Sequence, residues 1–284
     1  MESNNLVLNR LFTQRVFQTL IDLNENTIYE TIVQRFIEET EAKNNGELIS
    51  EIYKYISKSY RNEYFYLNTL LNKLLLVKHS IHTTTALTQI PIGKSKADFI
   101  MINGKATVYE IKSELDNFER LETQLKDYFK AFNFVCVVTS EENYFKLYNL
   151  LYDTPVGICI LTKHDTISRN LVKEPIENNS CLDHRTIFKV LHKGEYESII
   201  KNYFGVLPSV SQVFYYDECL TWFKEIPIME AYSMGLKELK KRNRIVDSLF
   251  QDIPYELKSL VYFSSLSPKD YDDLNRFLRE EYRR

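Results

Sequence analysis

Asp98, Glu110 and Lys112 lie on either side of an Asn103-Gly104 pair, and together they are the residue types from which a hydrolytic phosphate site can be built. Two carboxylates can hold a divalent cation that polarises a phosphate and activates a water, while an amine steadies that water or the developing charge. Side chains alternate along a strand, so Glu110 and Lys112 must share a face. Ile111 turns to the other side, with its carbonyl available to a metal. Whether Asp98 joins them depends on the loop between the strands. A strict two-residue turn would set Asp98 opposite Tyr109, on the wrong face; an odd-length loop with Gly104 left-handed would set it on the Glu110 side. The chemistry predicts the odd-length loop.

Spacing alone is a weak guide, because E-x-K occurs four times: at Glu41-Ala42-Lys43, Glu110-Ile111-Lys112, Glu238-Leu239-Lys240 and Glu256-Leu257-Lys258. The other three fall in helical patterns, where such charges form a solvated face. Only the second follows an aspartate-bearing strand and a turn, and Asp98 and Glu110 interrupt otherwise apolar runs, which costs stability unless something compensates. An active site and a surface-facing edge hairpin both fit these residues. Farther on, Gln124 and Tyr128 stand four apart and so share a helix face. Tyr128 also fits the apolar stripe of Leu121, Leu125 and Phe132.

These residues need elements to hold them. Apolar residues recur at helical spacing from Leu6 to about Ser59, and a second helix is expected from Asn62 to Lys78. Thr83 to Ile92, Ala97 to Ile102 and Ala106 to Ile111 read as strands, the last two joined by the Asn103-Gly104 hairpin signal. A helix should follow from Asn117 to Phe132, then a buried strand at 134–139, a helix from Glu141 to Tyr152, and a buried strand from Val156 to Leu161. Beyond Asp165 helical patterns return at 183–191, 195–204, 217–223, 228–241 and 268–281. The link His192-Lys-Gly194 reads as a helical hairpin rather than a helix-turn-helix. The expected class is α/β, with a core of helix, three-strand meander, helix, strand, helix, strand. The expected segments are a helical region 1–60, the core 61–165 and a helical region 166–284.

The stretch Lys96-Ala-Asp98, Tyr109-Glu110-Ile-Lys112-Ser113, Arg120-Leu-Glu-Thr-Gln124-Leu-Lys-Asp-Tyr128 and Val135-Cys-Val-Val138 resembles the PD-(D/E)XK nuclease superfamily. Within it, the stretch is similar to the branch with a Gln-x-x-x-Tyr helix, and especially to a family of stand-alone bacterial members. The resemblance covers about Asn62 to Leu161. It implies a restriction-endonuclease-like core and metal-dependent hydrolysis of phosphodiester bonds, with DNA the expected substrate, in DNA processing or defence against foreign DNA. By the same resemblance Asp98, Glu110 and the Ile111 carbonyl would hold Mg²⁺ or Mn²⁺, Lys112 would position water or stabilise charge, and Gln124 and Tyr128 would orient the substrate. Glu63 would supply a further acid, although a charge at a helix start has a plain structural reading too. Ala97 stands where the superfamily name has proline.

The composition bounds these expectations. With 284 residues, 44% hydrophobic and 26% charged, the chain has the balance of a folded protein. Its net charge of −3 excludes a generic polyanion binder, so any nucleic-acid surface must be local. Cys136, Cys159, Cys181 and Cys219 form no CxxC pair and read as reduced thiols. The opening residues lack a signal-peptide pattern and no apolar run would span a bilayer, so a cytoplasmic protein without membrane contact is expected. Cys181, His184 and His192 lack a fourth zinc ligand. Lys237, Lys240, Lys241, Arg242 and Arg244 read as a solvated face, with phosphate contact as the other use. A homodimer is compatible with all of this, and a non-catalytic module binding nucleic acid or a protein is the competing reading.

Overall fold

The computed structural model describes residues 5–23, 26–77, 81–168, 172–242, 245 and 247–283. Helices α1 (Leu8–Leu11), α2 (Gln14–Leu23), α3 (Thr27–Phe36), α4 (Asn45–Ser59) and α5 (Glu63–Leu70) come first, α5 running on as a π-helical stretch Leu71–Leu76. Strands β1 (Thr85–Ile92), β2 (Ser95–Asn103) and β3 (Lys105–Lys112) follow, then α6 (Leu121–Tyr128), β4 (Phe134–Ser140), α7 (Tyr144–Leu151) and β5 (Gly157–Leu161). Helices α8 (His184–Val190), α9 (Lys193–Phe204), α10 (Gln212–Glu225), α11 (Ile228–Lys240), α12 (Asp247–Phe250), α13 (Lys258–Phe263) and α14 (Pro268–Arg279) complete the chain.

Two compact units emerge. One comprises Met1–Val77, Ser113–Leu115 and Arg244–Arg284, the other Lys78–Lys112 and Asp116–Asn243. These bounds differ from the three consecutive segments expected from the sequence, because α14 packs back on α2 and α4. In that first unit Asn45 donates to the Phe277 carbonyl at 3.0 Å and accepts from the Tyr29 hydroxyl at 2.8 Å. The same cohesion draws in residues 256–258, so Glu256-Leu257-Lys258 belongs to a short helical segment here. Glu41-Ala42-Lys43 is a turn, not a helix: Ala42 takes a positive φ of 58°.

The second unit is an α/β body on one open, mixed five-stranded sheet in the order β1-β2-β3-β4-β5. The first three strands are antiparallel neighbours; β3, β4 and β5 run parallel, joined by α6 and α7 as parallel strands require. Ile100, Ile102, Val108, Val135, Val137 and Ile158 form one core with Leu121 and Leu125 of α6 and Phe188 and Phe223 of the later helices. The α6 helix is shorter than the 117–132 expected. Asn117 accepts from the Glu119 amide before it, and at the other end Lys130 and Ala131 bond three residues back rather than four, which tightens and ends the helix. Helix α10, by contrast, starts five residues before the expected 217. Among the described residues no helix is long and apolar enough to cross a membrane.

Two expected results follow from this unit. At Gly157 an added Cβ would lie 2.8 Å from the Pro175 ring and backbone nitrogen and 2.9 Å from the Lys173 carbonyl. Backbone cannot give way as a flexible side chain would, so Gly157→Ala should destabilise the unit by about 1–3 kcal/mol in denaturant titration. The second concerns acid. Burial would raise the carboxyls of Asp183 and Glu195, but hydrogen bonds from Thr186 to the first, and from Arg242 and the His192 amide to the second, outweigh it and hold both below the ordinary range. Groups whose protons bind more weakly in the folded state stabilise it above the unfolded pKa, and that gain is lost as pH falls through the folded pKa. The melting temperature should therefore drop from about pH 4 downward, and Glu195→Gln should flatten that acid limb.

Candidate functional site

The hairpin carries the odd-length loop. Pairing runs from Asn103↔Lys105 to Phe99↔Tyr109 with Gly104 alone at the tip, and Gly104 has a φ of 70°, which glycine adopts without steric cost. The pairing ends at Phe99↔Tyr109; carried one residue farther by strand alternation, the same parity would put Asp98 on the face of Glu110 and Lys112. Here the β2–β3 pairing stops, and the Ile111 amide donates to Asp98 Oδ2 at 2.8 Å. The Ile111 carbonyl leaves the strand on the same edge as its amide.

Glu110 is buried, with 1% of its surface exposed. A carboxylate in that position must be paired and hydrogen-bonded to persist. Its Oε1 accepts from Lys112 Nζ at 2.8 Å and from Gln124 Nε2 at 2.5 Å, and its Oε2 accepts from the Tyr128 hydroxyl at 2.5 Å. Lys112 Nζ also donates to Gln124 Oε1 at 2.9 Å. Helix α6 supplies two of these partners from successive turns, as the four-residue spacing predicts. Burial, and then the negative charge of Glu110, push the Tyr128 hydroxyl far above its ordinary range, so it stays protonated and serves as a donor.

Gln124 and Tyr128 thus hold Glu110 and Lys112 in this structure. The substrate-orienting role that the resemblance implies would have to be exercised through them. Tyr128 meets both readings offered by the sequence: its ring is in the core, and its hydroxyl reaches the polar cluster. Glu63 opens α5 after the Asn62 cap and belongs to the other unit. Sequence reasoning missed Asp127, between Gln124 and Tyr128, and the Lys96 carbonyl, which a Tyr128 bond of 2.9 Å ties to the cluster. The polar spacing 124, 127, 128 was the available signal.

Other candidates disperse. Lys241 is paired with Glu238 at 2.6 Å, and Arg242 is held by Glu195 and the Val190 carbonyl. Two of the five basic residues are thereby engaged within the protein, and Arg244 lies outside the described residues. His184 bonds the Ile226 carbonyl and His192 sits by Glu195, so neither meets Cys181 in a ligand set. All four cysteines are free thiols.

Among the described residues no three His, Cys, Asp or Glu side chains converge as a metal cage. A hard cation does not require one, since magnesium commonly takes one or two carboxylates and completes its shell with water and substrate oxygens. Asp98, Glu110 and the Ile111 carbonyl are donors of that kind. A carboxylate offers about four acceptor sites, of which Lys112, Gln124 and Tyr128 use three on Glu110. The donor set fits the ion.

A family model described as bacteriophage P4 protein cII matches residues 56–274, which take in every strand and every residue of this cluster. No curated protein and no solved structure matches the chain.

Proposed function

The chain belongs to the bacteriophage P4 protein cII family, and we propose that it is a metal-dependent nuclease of the PD-(D/E)XK type, hydrolysing phosphodiester bonds, with DNA as substrate, in DNA processing or defence against foreign DNA. One observation supports this reading: Asp98 Oδ2 accepts from the Ile111 amide at 2.8 Å, in the backbone between Glu110 and Lys112, whose own side chains are paired at 2.8 Å. The five-stranded mixed sheet with α6 and α7 between its parallel strands is compatible with a restriction-endonuclease-like core.

In this proposal Asp98, Glu110 and the Ile111 carbonyl would hold Mg²⁺ or Mn²⁺, which when bound would polarise the phosphate and acidify a water. Lys112 has three donors; Glu110 and Gln124 take two, and the third serves the attacking water or the charge developing on phosphate. Gln124 and Tyr128 keep Glu110 in one rotamer, so little reorganisation is required as that charge develops. Asp98 keeps β3 at a fixed distance where the strands part.

A second reading rests on the sealing of Glu110: a carboxylate this enclosed also suits a polar network that only holds α6 to the sheet, in a non-catalytic module that binds nucleic acid or a protein partner. A cleavage assay separates the two. Purified protein with Mg²⁺ or Mn²⁺ should cut linear, circular or single-stranded DNA, and chelation should stop it. Intact DNA and RNA under all these conditions would overturn the nuclease reading and favour the module.

A further inference from the structure

Between Gln124 and Tyr128 on α6 lies a third polar side chain that the proposed reaction does not use. Asp127 is buried, with 5% of its surface exposed. Its Oδ2 accepts from the Lys94 amide at 2.9 Å and from the Ser95 hydroxyl at 2.9 Å, and its Oδ1 meets Lys130 Nζ at 2.8 Å. Lys94 and Ser95 form the turn into β2, the strand that carries Asp98. Gly93, in the same turn, has a φ of 63°, and a Cβ there would come within 2.6 Å of Asp127 Oδ1. Turn and carboxylate are therefore interlocked twice, by hydrogen bonds and by contact.

The next residue of the helix, Tyr128, bonds the Lys96 carbonyl and Glu110, while Gln124 bonds Glu110 from the preceding turn. Three anchors along one helix face thus run from the start of β2 to the polar cluster. We propose that Asp127 is a positioning residue, which fixes α6 against the β1–β2 turn and so sets where Gln124 and Tyr128 meet Glu110. Burial alone would raise its carboxyl, but bonds from Lys130, the Lys94 amide and Ser95 outweigh that and keep it ionised, the form that accepts all three. The consequence for cation binding rests on the nuclease reading; the placement of Gln124 does not.

The test therefore has two arms, both on the full chain. The first follows hydrogen exchange of the Gln124 side-chain amide by NMR. In Asp127→Ala its protection should fall by at least about tenfold as the helix loosens, whereas Asp183→Ala, which removes the cap of α8, should leave it unchanged. Asp127→Asn keeps an acceptor for the Lys94 amide but drops the Lys130 pair; it should move protection the same way by less, and serves if the alanine variant does not fold. Unchanged protection in Asp127→Asn, or an equal fall in Asp183→Ala, overturns the proposal. The second arm titrates Mn²⁺ by calorimetry, where about a 10–100-fold weaker Kd is expected for Asp127→Ala. If wild type takes up no Mn²⁺ and cuts nothing while the first arm holds, the nuclease reading fails and the positioning role stands.

Discussion

Lys112→Met should abolish detectable DNA cleavage and destabilise the sheet-bearing unit by about 3–5 kcal/mol, the cost of leaving a buried carboxylate without its counter-charge. Gln124 and Tyr128 would remain on Glu110, so the lower end of that range is the better expectation. The informative comparison is Glu110→Gln combined with Lys112→Met. A neutral amide can still bond Gln124 and Tyr128, and with no charge left to desolvate, denaturant titration should recover most of the stability that Lys112→Met alone loses. Cleavage should not return. Stability and activity would then separate, which a purely structural network would not show, since it has no activity to lose.

Asp98→Asn should act the other way, with a large effect on cation binding and little on folding. An asparagine carbonyl can accept the Ile111 amide as Asp98 Oδ2 does, so the stability cost should stay near 1 kcal/mol, the difference between a charged and a neutral acceptor. A lost ligand charge is more serious for a divalent ion. Because partners behind a metal ligand already affect affinity by about 10–100-fold, removal of a direct ligand should weaken Mn²⁺ binding by at least about 100-fold, with a parallel loss of cleavage. Mn²⁺ titration by calorimetry, with circular dichroism as the folding check, reads both quantities.

Much of this was legible in the residues, for identifiable reasons. The strands at 85–92, 95–103 and 105–112 were marked by β-branched runs around Asn103-Gly104, and the parity of their loop followed from requiring Asp98 on the face of Glu110. That Gln124 and Tyr128 share a helix face was legible from their spacing; that both bond Glu110 was not, since their expected partner was substrate. The limits of α6 were not legible, because Phe118, Phe129 and Phe132 continue the apolar pattern through turns where backbone bonding has already changed. Nor was the division of the chain, since the docking of α14 on α2 and α4 joins segments more than two hundred residues apart. The spacing 124, 127, 128 hinted at Asp127, but its partners Lys94 and Ser95 lie 33 and 32 residues away in the chain, so only the fold shows what it holds.

Diffraction from crystals grown with Mn²⁺, at a wavelength where manganese scatters anomalously, tests the central claim most directly. The account predicts an anomalous peak bonded at roughly 2.1 Å to Asp98 and Glu110, with the Ile111 carbonyl in its shell and Gln124 and Tyr128 still on Glu110. Density without a peak there, at millimolar Mn²⁺ and with Lys112 Nζ still seated on Glu110 Oε1, would contradict it.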